Sequence, residues 1–180
     1  PGEFMAPTFL GTLPGDTVLP GDTVLLWDHR LFRLTLFSDD GEFLGTEAPP
    51  GSSDIPPRPH AILPDGSFLT QQGGMVSAGA LTAGQVLVDS VQLQRTTRDF
   101  TESRPLVEAG FTRWIWTGMD QVLTPFTTGP RFAVAGACIV LLSGPGPEIQ
   151  VFDGLGTPLR RFGVDWPRLP VTARDHRDFV

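Results

Sequence analysis

The sequence predicts an all-β chain assembled from a repeated antiparallel unit, and three observations carry that prediction. Short runs rich in Val, Ile, Leu and Phe alternate with turns, in a chain of 180 residues that holds 21 Gly and 18 Pro. Gly and Pro punctuate strands and interrupt helices, while a hydrophobic share of 40% is enough apolar surface for a packed core. The stretch LTLFSDDGEFL (34–44) returns as IQVFDGLGTPL (149–159) and, more faintly, as VQLQRTTRDFT (91–101), so the copies start 57 and 58 residues apart. Self-similar segments at near-constant spacing mark a repeat architecture.

Set in register, Leu34, Leu36 and Phe37 align with Ile149, Val151 and Phe152, and Leu44 falls on Leu159. The middle copy keeps Val91 and Leu93 and follows them with a polar turn. Each copy has a companion just before it: GDTVLLWD (21–28), DGSFLTQQ (65–72) and GACIVLLS (136–143). All three companions pass from a small or acidic turn into β-branched and aliphatic residues, which is strand composition. Val24 precedes Leu34 by 10 residues and Ile139 precedes Ile149 by 10, the separation of two antiparallel strands joined by a short turn. In the middle unit Phe68 and Val91 are 23 apart, because an uncharged insert, GGMVSAGALTAG (73–84), intervenes. The connector APPGSSDIPPRP (48–59) carries too many Pro for a helix or a central strand. RWIWTG (113–118) reads as a further strand and SGPGPE (143–148) as a hairpin turn, and no amphipathic helix precedes residue 170. Thr172 and Asp175 would cap a short helix in the tail.

The organisation that follows is a tag remnant at 1–4, one domain over 5–170 with units at 20–60, 61–118 and 130–165, and a tail at 171–180. The repeated stretch is read as the inner half of its unit. Thirteen Arg against 20 acids leave a net charge of −7, which disfavours nucleic acid and anionic membranes as partners. The longest apolar run, FAVAGACIVLLSG (132–144), is too short to span a bilayer. MAPTFLGTLPGDTVL (5–19) lacks the basic region and long apolar run of a secretion signal, so the cytoplasm is the default expectation. Lys, Asn and Tyr are missing altogether, as a GC-rich genome would produce, so there is no N-glycosylation acceptor and no Asn metal ligand.

Chemistry-bearing residues are few. Cys138 sits in an apolar run with no His or acid nearby in sequence, the setting of a buried structural thiol rather than a nucleophile. His29, His60 and His176 have no metal-ligand spacing, and Asp28 beside His29 ends a strand. Asp28, Asp65 and Asp153 recur in the units, where turn chemistry explains them more simply than a cation does. Trp114 and Trp116 share one strand face, flanked by Arg113 and Thr117: a platform for a planar ligand, or packing between units. Gln71 and Gln72 stand at the entry of the insert, where a ligand or partner backbone would find amide partners.

LLWDHRLFRLTLFSDDGEFL (25–44), PRPHAILPDGSFL (57–69) and IQVFDGLGTPLRRFGV (149–164) resemble bacterial six-bladed β-propeller proteins of the NHL-like kind. The resemblance covers most of 20–170 and implies antiparallel four-stranded blades, about three per chain, or half a ring. Three blades leave two open sheet faces, so a homodimer completing the ring is the implied partner. Calcium-dependent propeller hydrolases use Asn and acidic side chains in a central channel, and the absence of Asn argues against that use here, leaving acids alone for any divalent cation. No cofactor is expected. Two functions follow: a non-catalytic binding and assembly module, or a hydrolase of ester, lactone or phosphoester type. The hydrolase would draw on Asp28, His29, His60 or Cys138 in the channel or at the subunit interface.

Overall fold

Aliphatic and β-branched runs separated by Gly- and Asp-bearing turns pair with their chain neighbours, and the described residues form thirteen strands in three sheets. The computed structural model describes residues 4–13, 22–50, 57–73, 81–123, 129–143 and 148–163, and no helix occurs among them. The first sheet runs β1 (Pro7–Leu13), β2 (Thr23–Asp28), β3 (Arg33–Ser38) and β4 (Phe43–Glu47), in that spatial order. The second adds a fifth strand: β5 (Arg58–Ile62), β6 (Phe68–Gly73), β7 (Val86–Thr96), β8 (Ser103–Trp116) and β9 (Gln121–Leu123). The third is β10 (Arg131–Ala135), β11 (Cys138–Ser143), β12 (Glu148–Asp153) and β13 (Pro158–Gly163). Every pairing is antiparallel between sequence neighbours. Among the described residues no helix is long and apolar enough to cross a membrane.

The repeat is visible in the topology. GDTVLLWD, DGSFLTQQ and GACIVLLS become β2, β6 and β11, the second strand of each sheet. The repeated stretch becomes β3–β4, the β7–β8 turn region and β12–β13, always the third strand running into the fourth. Its assignment to an inner half is corrected by this placement. The sheets approach one another through their first strands, β1 against β5 and β5 against β10, with a further approach of β8 to β11. The repeated stretch lies on the side away from β1, β5 and β10. The first sheet also begins at Pro7, ahead of the 20–60 unit, and β5 opens the second sheet from the end of that unit. Asp28, Asp65 and Asp153 do not occupy equivalent places: Asp28 ends β2 and Asp153 ends β12, each before its turn, whereas Asp65 sits in the β5–β6 turn.

The second sheet lies between the other two because successive strand residues point to opposite faces. Phe68, fully buried, packs with Leu25, Trp27, Leu34 and Leu36 of the first sheet, whereas its neighbour Leu69 joins Val91, Leu93 and Ala109 against Ile139, Leu141 and Phe152 of the third. Each such aliphatic side chain stabilises the fold by about 1.5–3 kcal/mol relative to exposure. The β7–β8 turn, polar in composition, contributes an unexpected core residue. Phe100 adopts a left-handed backbone (φ 59°) and inserts its ring beside Phe68 at 5.3 Å and Trp27 at 5.8 Å between centroids. Asp99 holds that turn by accepting from the Thr97 hydroxyl (2.6 Å) and the Thr101 amide (3.2 Å). The tail with Thr172, Asp175 and His176, and residues 74–80 of the insert, lie outside the described residues.

Candidate functional site

Where the first strands converge, the fold gathers charged and titratable groups that the sequence scatters. Pro59 pairs with Thr70 and Ala61 with Leu69, so His60 is the extra residue of a β-bulge in β5. A bulge re-aims a side chain, and here it directs His60 to the junction with β10. The ring meets Phe132 edge-on at 4.9 Å. Together with Ala61, Gln71, Pro130 and Arg131, these two rings line a cleft of about 210 Å³. Arg58 stands opposite Gln71 in the register and therefore on the same face. Its charge acts on both His60 and His29, the latter reached from the turn after β2. Burial first, then the charges of Arg58 and His29, push the His60 pKa down to about 4, so the ring is neutral at pH 7. Its Nε2 is buried without a hydrogen-bond partner.

His29 is anchored rather than open. Its Nε2 and the Thr8 hydroxyl are hydrogen-bonded at 2.7 Å. Burial and Arg58 lower its pKa, and Asp28 opposes them more weakly. Asp28 itself is fully buried and serves the backbone. One carboxylate oxygen accepts from Met5 N (2.7 Å); the other accepts from Arg30 N (2.9 Å), Leu31 N (3.1 Å) and Ala6 N (3.3 Å). Desolvation raises its pKa, but these amides outweigh it and hold the carboxyl below the ordinary value. Asp65 likewise accepts from the Ser67 amide and hydroxyl and pairs with Arg95, and Asp153 accepts from Leu155 N (2.9 Å) and Thr157 N (2.8 Å). All three acids perform turn chemistry. Among the described residues, no group of three or more His, Cys, Asp or Glu is arranged to hold a metal ion.

The remaining candidates stay apart. Cys138 opens β11 at the end away from the cleft: it pairs with Ala135, whereas Arg131 pairs with Leu142. Gln71 lines the cleft, but Gln72 points to the opposite face and accepts from Gln94 Nε2. Trp114 and Trp116 lie on the part of the β7–β8 hairpin that runs past the end of β6 at Gly73. Trp114 stands opposite buried Leu87, and its Nε1 is buried, so this ring is packing. Arg113 emerges on the other face, opposite Val88. A larger and more open groove of about 330 Å³ runs along β12–β13, where Arg161 is paired with Glu148 and Arg160 lies over Phe162 at 5.6 Å. Arg58, Arg131 and Phe132 were not singled out in the sequence. The only signal that could have found Arg58 is its place two residues before His60.

A second feature concerns the outer faces of the sheet stack. Leu34 (0% exposed), Leu36 (3%), Val91 (0%) and Leu93 (0%) are sealed by the following sheet. Their repeat equivalents in the third sheet, Ile149 and Val151, are only half-buried, as is Val140, while Leu142 is 40% exposed. The opposite faces mirror this. Ile139, Leu141 and Phe152 are covered by the second sheet, whereas their counterparts in the first sheet, Val24, Leu26 and Phe37, are half-buried. Phe9 (61%) and Phe43 (56%) stand exposed beside them. Compared with known proteins, the chain matches no family model and no curated protein.

Proposed function

We propose that the chain is a non-catalytic binding and assembly module of the six-bladed propeller kind. Its three sheets are three blades, and a second copy supplies the other three. The observation that supports this is the equivalence of the unsealed faces. Ile149 and Val151 occupy the positions that Val91 and Leu93 use to receive the next sheet, and Val24, Leu26 and Phe37 occupy the positions that Ile139, Leu141 and Phe152 use to dock on the preceding one. The third sheet of one copy thus suits the first sheet of another, and two such junctions close a ring with two-fold symmetry. Ligand contacts then come from the first strands and the loops at one rim. The alternative, a hydrolase of ester, lactone or phosphoester type, draws on His29 and His60, which the fold brings to one place. Turnover of such a substrate, lost in His60→Ala, would favour it.

Light scattering over a range of concentrations tests the assembly. The expected mass is about 39 kDa, twice the 19.5 kDa chain. Val151→Arg, which places a charge in the proposed junction, should return a 19.5 kDa species. Val88→Arg, on the exposed face of the β7–β8 hairpin, should leave the dimer intact. A monomer at all concentrations, or a dimer broken by Val88→Arg and not by Val151→Arg, refutes the ring.

A further inference from the structure

The cleft between β5, β6 and β10 has the composition of a binding site for a specific chemical class. Arg131 lines it and Arg58 stands on the same face, opposite Gln71, and among the described residues neither is ion-paired, although the chain carries 20 acids to 13 Arg. Four other Arg do have acidic partners: Arg95 with Asp65, Arg98 with Glu47, Arg104 with Glu102 and Arg161 with Glu148. With no counter-charge among the described residues, the Arg58 and Arg131 guanidinium groups are open to an anionic ligand. The walls add selectivity. Gln71 offers an amide, the His60 imidazole forms part of the wall, and Phe132, Pro130 and Ala61 are apolar. At about 210 Å³, the space takes roughly seven water volumes of ~30 Å³, a molecule of about ten heavy atoms.

We propose that this cleft binds a small organic carboxylate. Arg131 and Arg58 hold the carboxylate head, Gln71 and His60 orient it, and the short apolar body lies against Phe132 and Pro130. Guanidinium matches a carboxylate through paired N–H donors, so the fork sets orientation as well as charge. A bare inorganic anion would satisfy the arginines but leave the aromatic wall in water. The β-bulge at His60 serves this arrangement by turning the ring away from the ladder and toward the ligand. The groups facing His60 are cationic or neutral: Arg58 on its own strand, His29 from the first sheet, Gln71 on β6 and Arg131 on β10. A bound carboxylate adds the one negative charge to this set, which favours protonation of the ring. Binding therefore favours proton uptake by the ring as pH falls toward its free value of about 4.

Calorimetric titration of the full chain with benzoate tests the proposal, with benzamide as the uncharged isostere and inorganic phosphate as the bare anion. Because one chain supplies every lining residue, the result does not depend on the ring closing. Benzoate should bind at least ten-fold more tightly than either control, and Arg131→Gln should weaken it at least ten-fold. Arg131 is exposed, so that variant keeps its fold, which an unchanged urea midpoint verifies. Gln71→Ala should weaken benzoate to a smaller degree. Equal binding of benzamide, equal binding of phosphate, no benzoate binding, or indifference to Arg131→Gln would each overturn the assignment.

Discussion

Replacing Asp28 separates a structural acid from a catalytic one. Its carboxylate joins the start of β1 to the β2–β3 turn through four amides, the shortest at 2.7 and 2.9 Å. A hydrogen bond to a charged group contributes ~1.5–3 kcal/mol net. The two longer contacts contribute less, and the exposed Met5, Arg30 and Leu31 let water recover part of what is lost. Asp28→Ala should therefore cost roughly 3 kcal/mol. Asp28→Asn can keep one oxygen on Ala6, Arg30 and Leu31, but then sets its NH2 against the Met5 amide, and should cost about half as much. With a urea slope of about 2 kcal/mol per molar, the midpoints fall by ~1.5 M and ~0.7 M. The pH dependence has a fixed sign. Because the folded pKa is lowered, the contribution is complete above the unfolded value near 3.9 and disappears as pH falls through the folded one. The gap between wild type and Asp28→Ala should thus close in acid. A midpoint change below ~0.3 M, or a gap that does not narrow as pH falls below the unfolded value, would refute the role, and an unchanged midpoint with lost ester turnover would make Asp28 catalytic.

Two further outcomes follow from local geometry. His60 titrates near 6.5 when unfolded and about 4 when folded, so protonation favours the unfolded chain as pH falls between those values, and stability should drop by about 2 kcal/mol from pH 7 to 5. His60→Phe should abolish that part of the slope in urea denaturation measured against pH, and an unchanged slope would assign it elsewhere. Gly156 has φ +84°, and a Cβ there would stand 2.7 Å from the Leu106 carbonyl oxygen, so Gly156→Ala should lower stability by roughly 2–3 kcal/mol in the same assay. A loss under ~0.5 kcal/mol would mean that the β12–β13 turn moves freely against β8.

Local chemistry, readable along the chain, determined a great deal here. The alternation of apolar residues placed β2, β3, β6, β11 and β12, since a period of two needs no knowledge of the partner. The 57- and 58-residue spacing marked three equivalent units, and Asp28, Asp65 and Asp153 were legible as turn acids because an Asp caps amides within a few residues of itself. Less was legible at the site. Gln71 and Gln72 are neighbours in sequence, yet the pleat sends them to opposite faces, and Trp114 and Trp116 went to a hairpin extension whose length only pairing with Val86–Ser90 defines.

What belonged to the tertiary structure is everything that depends on which faces meet. Strand pattern told that Phe68 and Leu69 would both be apolar, but not that one would seal the first sheet and the other the third. Nor does local sequence distinguish sealed Val91 and Leu93 from half-buried Ile149 and Val151, because burial is a property of the neighbouring sheet. The cleft is the plainest case. His29 and Arg131 are 102 positions apart, with Arg58 and His60 between them, and the four carry no shared spacing. Arg58 couples to both histidines, and Arg131 shares the cleft with His60, because the first strands converge and a one-residue bulge turns His60 toward the junction; electrostatic coupling falls off with distance in space rather than along the chain.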